Sequence, residues 1–374
     1  MARRTNVPAD AVAVVVGALE AALAGTGPAV LPTAGAPPDP LPETDAAVVI
    51  ATSGSTGTPK LVALSAAALR ASAAATERRL GGPGRWLLAL PTEHVAGVQV
   101  IVRALLAGAP PQVQDLRGGF RPAGFAEATA RLGPGRRYTS LVPTQLDRLL
   151  DEGGAGLEAL CGFAAVLIGG AALPAALRER ATAAGVRVVT TYGMSETAGG
   201  CVYDGVPLEG VTVELDGPDG RILLGGPTLA DGYLGQPDET AAAFRDGRFR
   251  TGDLGRFEGG RLVVLGRADD MIVTGGEKVA PAAVERVLVA QPGVRAACVV
   301  GLPDPRWGQI VAAALVVEDG ADPARAGAAV RAELGRHAVP RRLLAVAEIP
   351  LRGIGKPDRA AVATLLRDSG HPEG

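Results

Sequence analysis

Short apolar runs that stop at glycine or a polar turn, with alanine-rich helical stretches between them, constrain this chain more than any other feature. The runs fall at residues 46–51, 86–90, 164–168 and 186–190, and the helical stretches include 65–79 and 173–184. Strands alternating with helices imply a largely parallel sheet covered on both faces, an α/β architecture. A hydrophobic share of 47% is ample for such a core and excludes global disorder.

The pattern changes after Val202. Short β segments follow at 211–215, 222–224 and 255–257, the last joined through Gly259 and Gly260 to 261–265. Such spacing predicts an antiparallel or β-barrel-like portion. Beyond it, 281–290 reads as a helix with Pro281 in its first turn, 294–300 and 309–317 as strands, and 323–336 as a helix. At ~150 residues per domain, 374 residues suggest two domains. The expected division is a large domain over 1–266 and a small α+β domain over 270–374, meeting at 267–270.

The apolar run 11–19 follows two arginines, as in a secretory leader, but Asp10 and Glu20 bracket it. A helix starting near Asp10 is the better reading. No apolar stretch reaches the ~18 residues of a membrane span. A formal net charge of -2 gives no electrostatic case for nucleic acid or an anionic membrane. Cys161, Cys201 and Cys298 follow no disulfide or metal spacing, which points to a reducing, cytoplasmic setting.

Of the 37 basic residues only Lys60, Lys278 and Lys356 are lysines; the other 34 are arginines. An ammonium is a compact point charge and a guanidinium a wide planar fork. A surviving lysine therefore marks a place where a fork does not fit, or survives by chance. Lys60 closes the run TSGSTGTPK at 52–60, directly after a predicted strand. Gly54 and Gly57 permit unusual backbone angles, and successive N–H groups can form an anion-binding nest. Thr52, Ser53, Ser55 and Thr56 add neutral donors and Lys60 adds a point charge. The run lacks the Gly-Lys-Ser/Thr ending of a Walker A loop. The plainer alternative is a polar turn.

This run resembles the signature loop of the adenylate-forming superfamily, which comprises acyl-CoA synthetases, luciferases and peptide-synthetase adenylation domains. The resemblance implies that the loop holds the β- and γ-phosphates of ATP. Further segments follow in the family's order. In TTYGMSET at 190–197, Tyr192 offers a flat face for a base and Glu196 a hard oxygen for Mg²⁺. The family match implies that Tyr192 stacks on adenine, Ser195 contacts the α-phosphate and Glu196 holds the metal, with Thr191, Gly193 and Met194 beside the nucleotide. A serine-hydrolase elbow is the runner-up, but its closing glycine is absent. In TGDLG at 251–255, Asp253 falls in a predicted tight turn. The match makes it the acceptor of both ribose hydroxyls, with Arg267 across a predicted hairpin as a second ribose or phosphate contact.

The segment at 266–281 resembles the superfamily hinge, with Asp269 as the residue about which the small domain rotates. Lys278 is expected to be a solvated structural lysine. LRGIGKPDR at 351–359 resembles the closing motif, whose lysine, here Lys356, bridges the substrate carboxylate and the α-phosphate. On the substrate side, LPTEHVAG at 90–97 matches a Pro-x-x-His-x-x-Gly segment, which implies that His94 lines or gates the acyl pocket. LIGGAALP at 167–174 matches a wall between adenine and acyl group, built here by Gly169, Gly170 and Ala171. Arg103 lies in an otherwise apolar predicted helix at 98–107 and needs a partner. A protein carboxylate is favoured; the alternative is a second carboxylate on the substrate.

Two runs, at 96–108 and 139–149, are most similar to the actinobacterial o-succinylbenzoate–CoA ligases of menaquinone biosynthesis. Only 51 residues precede Thr52, so the resemblance also implies a reduced N-terminal subdomain. It implies ATP, Mg²⁺ and CoA as the small molecules used, no nucleic-acid partner, no membrane insertion, and leaves a homodimer open. The implied fold is a large N-terminal domain of sheets with flanking helices plus a barrel-like portion, and a small mobile α+β C-terminal domain. Two other functions remain at this point: a stand-alone adenylation domain loading a carrier protein, and a noncatalytic ATP-binding sensor.

Overall fold

The computed structural model describes residues 4–8, 11–33, 43–52, 60–318, 323–352 and 356–369. The predicted alternation produces a seven-stranded sheet in which Gln112–Val113, Arg85–Leu88, Arg137–Leu141, Ala165–Ile168 and Val188–Met194 run parallel in that spatial order. Side chains alternate across it. Trp86, Leu88, Tyr138, Ala165 and Leu167 join one core. Leu87, Leu141, Val166 and Ile168 join another. Strands buried on both faces are largely apolar, as in Ala165–Ile168, and the buried Thr139 of Arg137–Leu141 satisfies its hydroxyl on the Leu87 carbonyl.

On the first face lie three helices, Val12–Leu23, Ala66–Leu80 and Val95–Leu106, and beyond them a second, five-stranded sheet. Ser65 caps the second of these helices by accepting from the Ala68 N–H, and Gly81 ends it in the left-handed conformation at φ 86. The strand Val48–Thr52 pairs antiparallel with Lys60–Leu64, and Gly232–Tyr233 pairs with the latter. Thr52 and Lys60, the two ends of the run 52–60, therefore lie opposite each other at the end of this strand pair. Four helices between Pro122 and Ala183 cover the other face of the parallel sheet through Phe125, Leu146, Leu149 and Phe163.

The barrel-like portion is a five-stranded antiparallel sheet built around the long strand Arg248–Glu258. The separate C-terminal domain is built on a third five-stranded sheet, centred on Val294–Asp304 and Gly308–Val317. Pro281–Val289 and Pro323–Leu334 pack on one face, and Arg359–Asp368 on the other through Val362 and Leu366.

Two local expectations change. Asp253 lies inside the strand Arg248–Glu258, not in a tight turn, because its residue pair across the hairpin is Arg267 and the ladder continues past it. A bulge between Leu254 and Gly255 absorbs the glycine. Likewise the strand expected at 186–190 continues to Met194. Gly199–Tyr203 folds back against it and keeps Tyr192 opposite Val202. Gly193 is thus a close-approach position: a Cβ there would sit 2.1 Å from the Gly199 carbonyl oxygen. No helix among the described residues is long and apolar enough to cross a membrane.

Candidate active site

The parallel strands deliver their carboxyl ends to one edge, where ligands bind in open α/β sheets. Gly169 follows Ala165–Ile168 there, and Tyr192 lies near the end of Val188–Met194. His94 stands at the N-cap position of the helix Val95–Leu106, which follows the strand Arg85–Leu88, in extended conformation at φ -110 and ψ 145. Gly169 is required by crowding: a Cβ would meet Thr191 Oγ1 at 2.4 Å. Thr191 Oγ1 itself donates to the Ile168 carbonyl at 3.2 Å, which locks the two strand ends together. Gly170 adopts φ 80, so only glycine turns the chain there without strain, and Ala171 follows.

The hydroxyl of Tyr192 donates to Asp253 Oδ2 at 2.8 Å. Burial first, and then the Asp253 carboxylate, push this phenol above its ordinary pKa, so it remains a donor. Asp253 Oδ1 faces Arg267 Nη1 at 3.7 Å, and Arg267 Nη2 donates to Asp269 Oδ2 at 3.2 Å. One guanidinium thus joins the expected ribose acceptor to the expected hinge residue. Gly252 makes room for it: a Cβ there would lie 2.5 Å from Arg267 Nη2.

A second line of contacts runs through the turn Ser195–Thr197. Thr197 Oγ1 accepts from the Met194 N–H and is 2.7 Å from the Gly199 carbonyl, which holds the turn rigid. Ser195 is buried at its start. Glu196 Oε1 accepts from the Tyr233 hydroxyl at 3.0 Å, and the Lys60 ammonium lies 4.5 Å from the centre of the same ring. Burial and then Glu196 push the Tyr233 phenol up. Tyr233 was not foreseen from sequence: a Gly-Tyr pair carries no signal until pairing with Lys60–Leu64 brings it beside Lys60.

Gln99 was also missed. It is fully buried on the helix Val95–Leu106, its Cγ would meet a Gly199 Cβ at 3.2 Å, and neither amide atom has a hydrogen-bond partner. Such a group beside the glycine turn and one turn beyond His94 suits a pocket that receives a polar substrate atom. The structure does not bring Arg103 to this group. Arg103 lies about one further turn down the helix and donates to the Tyr203 hydroxyl at 3.2 Å, not to the carboxylate expected for it. Ser53, Gly54, Ser55, Thr56 and Gly57 lie outside the described residues, as does the side chain of Lys356, whose backbone pairs with Arg352. Lys278 is exposed and pairs with Asp219 at 3.1 Å.

The residues fit a magnesium ion. Tyr233 engages one oxygen of Glu196 and not the other, and no group of three His, Cys, Asp or Glu side chains gathers among the described residues. Mg²⁺ is commonly held by one or two carboxylates together with substrate phosphates.

The sequence profile of the AMP-binding enzymes matches residues 4–234, and that of the AMP-binding enzyme C-terminal domain matches 283–356. The chain is 50% identical over 327 residues to a probable 2-succinylbenzoate–CoA ligase of Mycobacterium tuberculosis, covering 85% of this chain and 84% of that one. Among solved structures it resembles o-succinylbenzoate CoA synthetase from Bacillus subtilis in complex with the acyl-adenylate OSB-AMP. The TM-score is 0.73 at 27% identity, over 84% of this chain and 68% of the other. It also resembles the amide bond synthetase McbA from Marinactinospora thermotolerans, with a TM-score of 0.74 at 33% identity, over 91% and 76% of the two chains.

Proposed function

Because this chain belongs to the AMP-binding enzyme family, we propose that it is an acid–CoA ligase that converts 2-succinylbenzoate, ATP and CoA to 2-succinylbenzoyl-CoA, AMP and diphosphate. The observation that carries the reaction class is the convergence of two contact lines, Tyr192–Asp253–Arg267 and Lys60–Tyr233–Glu196, at the carboxyl edge of one sheet. The choice of acid rests on the 50% identical relative.

In the first step a carboxylate oxygen of the acid attacks the α-phosphorus of ATP. The bond from that phosphorus to the bridging oxygen breaks and diphosphate leaves. Positioning and charge neutralisation carry such a step. Tyr192 presents its ring to adenine while Asp253 and Arg267 take the ribose. The loop 52–60 and Lys60 hold the departing phosphates. Glu196 would hold Mg²⁺, which when bound supplies positive charge to the phosphate oxygens. Lys356 neutralises charge between carboxylate and α-phosphate. His94, Gln99 and the Gly169–Gly170 turn border the acyl group.

In the second step the CoA thiol attacks the acyl carbon, the carbon–oxygen bond to AMP breaks, and the thiol proton leaves to solvent. Rotation of the small domain about Asp269, with the boundary at 267–270, exchanges Lys356 for a path to the thiol. We place the enzyme in the cytoplasm, as a monomer or homodimer without a nucleic-acid partner. A second acceptor deserves its own arm, since the amide bond synthetase aligns over 91% of this chain. The test is single-turnover decay of preformed acyl-adenylate with CoA or with simple amines. Faster decay with CoA supports the ligase; faster decay with amines overturns the thioester assignment.

A further inference from the structure

We propose that the amino end of the seven-stranded sheet carries a second site, separate from the ATP-directed edge, that binds a small aromatic carboxylate through Arg103. Arg103 is nine residues beyond His94 on the helix Val95–Leu106, about 14 Å down its axis. It therefore sits at the opposite end of the parallel strands from Tyr192 and Gly169. Its side chain lines a cavity of about 220 Å³ between the helices Ala66–Leu80 and Val95–Leu106. Trp86 and Tyr138, near the starts of their strands, form one wall. Ala73 and Ala74 form another, and their short side chains leave the space open.

The charge in this cavity is poorly satisfied. Arg103 is 6% exposed, and its Nε has no hydrogen-bond partner. Nη2 donates only to a neutral hydroxyl, that of Tyr203, and the guanidinium carbon lies 5.3 Å from the centre of the Trp86 ring. Among the described residues no carboxylate pairs with it. Burial pulls its pKa down, against a smaller electrostatic contribution from Tyr203. A buried guanidinium with no carboxylate partner is disposed to take one through charge-assisted hydrogen bonds.

The rest of the lining specifies what the carboxylate is attached to. The Trp86 and Tyr138 rings, 5.1 Å apart and inclined at 42°, offer flat apolar surface for another ring. A volume below the ~300–1,000 Å³ of drug-sized pockets limits the ligand to about one ring. Glu77 also lines the cavity, so a second negative charge is disfavoured and a monoanion is preferred over a dianion. Arg78, at the rim, is already paired with Glu209. None of this depends on which acid the catalytic edge accepts.

The chain has two tryptophans, Trp86 and Trp307. Trp307→Phe leaves Trp86 as the sole reporter, inside the cavity. Benzoate titrated into this protein through the millimolar range should change Trp86 emission saturably. Benzyl alcohol, with the same ring and no charge, should not. Arg103→Met should weaken the benzoate response by about tenfold or more. Ala74→Leu, at an exposed position that fills the cavity, should abolish it while leaving acid-dependent ATP–pyrophosphate exchange intact. No response to benzoate, an equal response to benzyl alcohol, or a response that survives Ala74→Leu would each overturn the proposal. The Ala74 variant keeps the test decisive if Arg103→Met does not fold.

Discussion

Tyr233 donates its hydroxyl hydrogen to Glu196 Oε1 at 3.0 Å while its ring lies 4.5 Å from the Lys60 ammonium. One side chain therefore orients the proposed metal carboxylate and the lysine that ends the run 52–60. Tyr233→Phe keeps the ring and deletes the bond to Glu196. Hydrogen bonds to charged groups contribute about 1.5–3 kcal/mol, so roughly tenfold or more should be lost from kcat/KM for adenylation. The loss should shrink as Mg²⁺ is raised, because a loosely held carboxylate binds the ion more weakly. ATP–pyrophosphate exchange across a magnesium titration checks this. A loss independent of magnesium would place Tyr233 in folding alone.

Asp253 accepts from Tyr192 and faces Arg267, so removing its charge loosens two neighbours at once. Asp253→Ala should raise the KM for ATP by roughly tenfold or more. Tyr192→Phe, which preserves the ring face, should raise it less. Steady-state kinetics with ATP as the varied substrate give the comparison, and equal effects would remove the ribose assignment from Asp253.

Arg295 of the small domain donates to Asp151 at 2.5 Å, and Arg180 donates to the same carboxylate at 2.6 Å. Burial would raise the Asp151 pKa, but the hydrogen bonds from Arg180 and Arg295 outweigh it and hold the group below its ordinary value. A depressed carboxylate contributes stability that is present above the ordinary value of about 3.9 and is lost as pH falls through the folded value. These side chains are well exposed, so the contribution is at most about 1 kcal/mol and is screened by salt. Arg295→Ala should make the domain arrangement less sensitive to salt and to acid. Small-angle scattering at low and high ionic strength, near pH 7 and well below the ordinary carboxylate value of about 3.9, reads that difference.

Arg359 ties the segment after Lys356 to the rest of the small domain. Its Nη1 meets Glu285 Oε1 at 2.6 Å, and its Nε faces Asp270 Oδ2 at 3.4 Å, next to the proposed hinge residue. Arg359→Met leaves Glu285 and Asp270 without that cation. With the arginine 30% exposed, the cost should be about 2 kcal/mol, below that of a fully buried pair. Chemical denaturation should register it, and adenylation should fall with it as Lys356 loses its anchor.

Local patterning made the parallel sheet and the small domain legible. Apolar runs and Ala-rich helices are set by neighbours within a few residues, and their bounds moved by only a few positions. The strand around Asp253 was misread because Thr-Gly-Asp has turn composition, and only the distant pairing with Arg267 makes it a strand. The family resemblance proposed Tyr192, Glu196 and Asp253 as site residues, but did not say that Tyr192 and Asp253 would bond directly. Tyr233 and Gln99 carry no pattern of their own. Each matters through a partner far along the chain, Glu196 for one and Gly199 for the other. Arg103 was rightly flagged as a charge in an apolar helix, but sequence could not say at which end of the sheet it would lie.

The central claim, that this chain joins 2-succinylbenzoate to CoA through an acyl-adenylate, is tested most directly by mass spectrometry of the products. The purified protein would be supplied with ATP, Mg²⁺, CoA and a competing mixture of aromatic, aliphatic and dicarboxylic acids. The account predicts that 2-succinylbenzoyl-CoA forms fastest, with one AMP released per thioester. Thioester from another acid with none from 2-succinylbenzoate would contradict it.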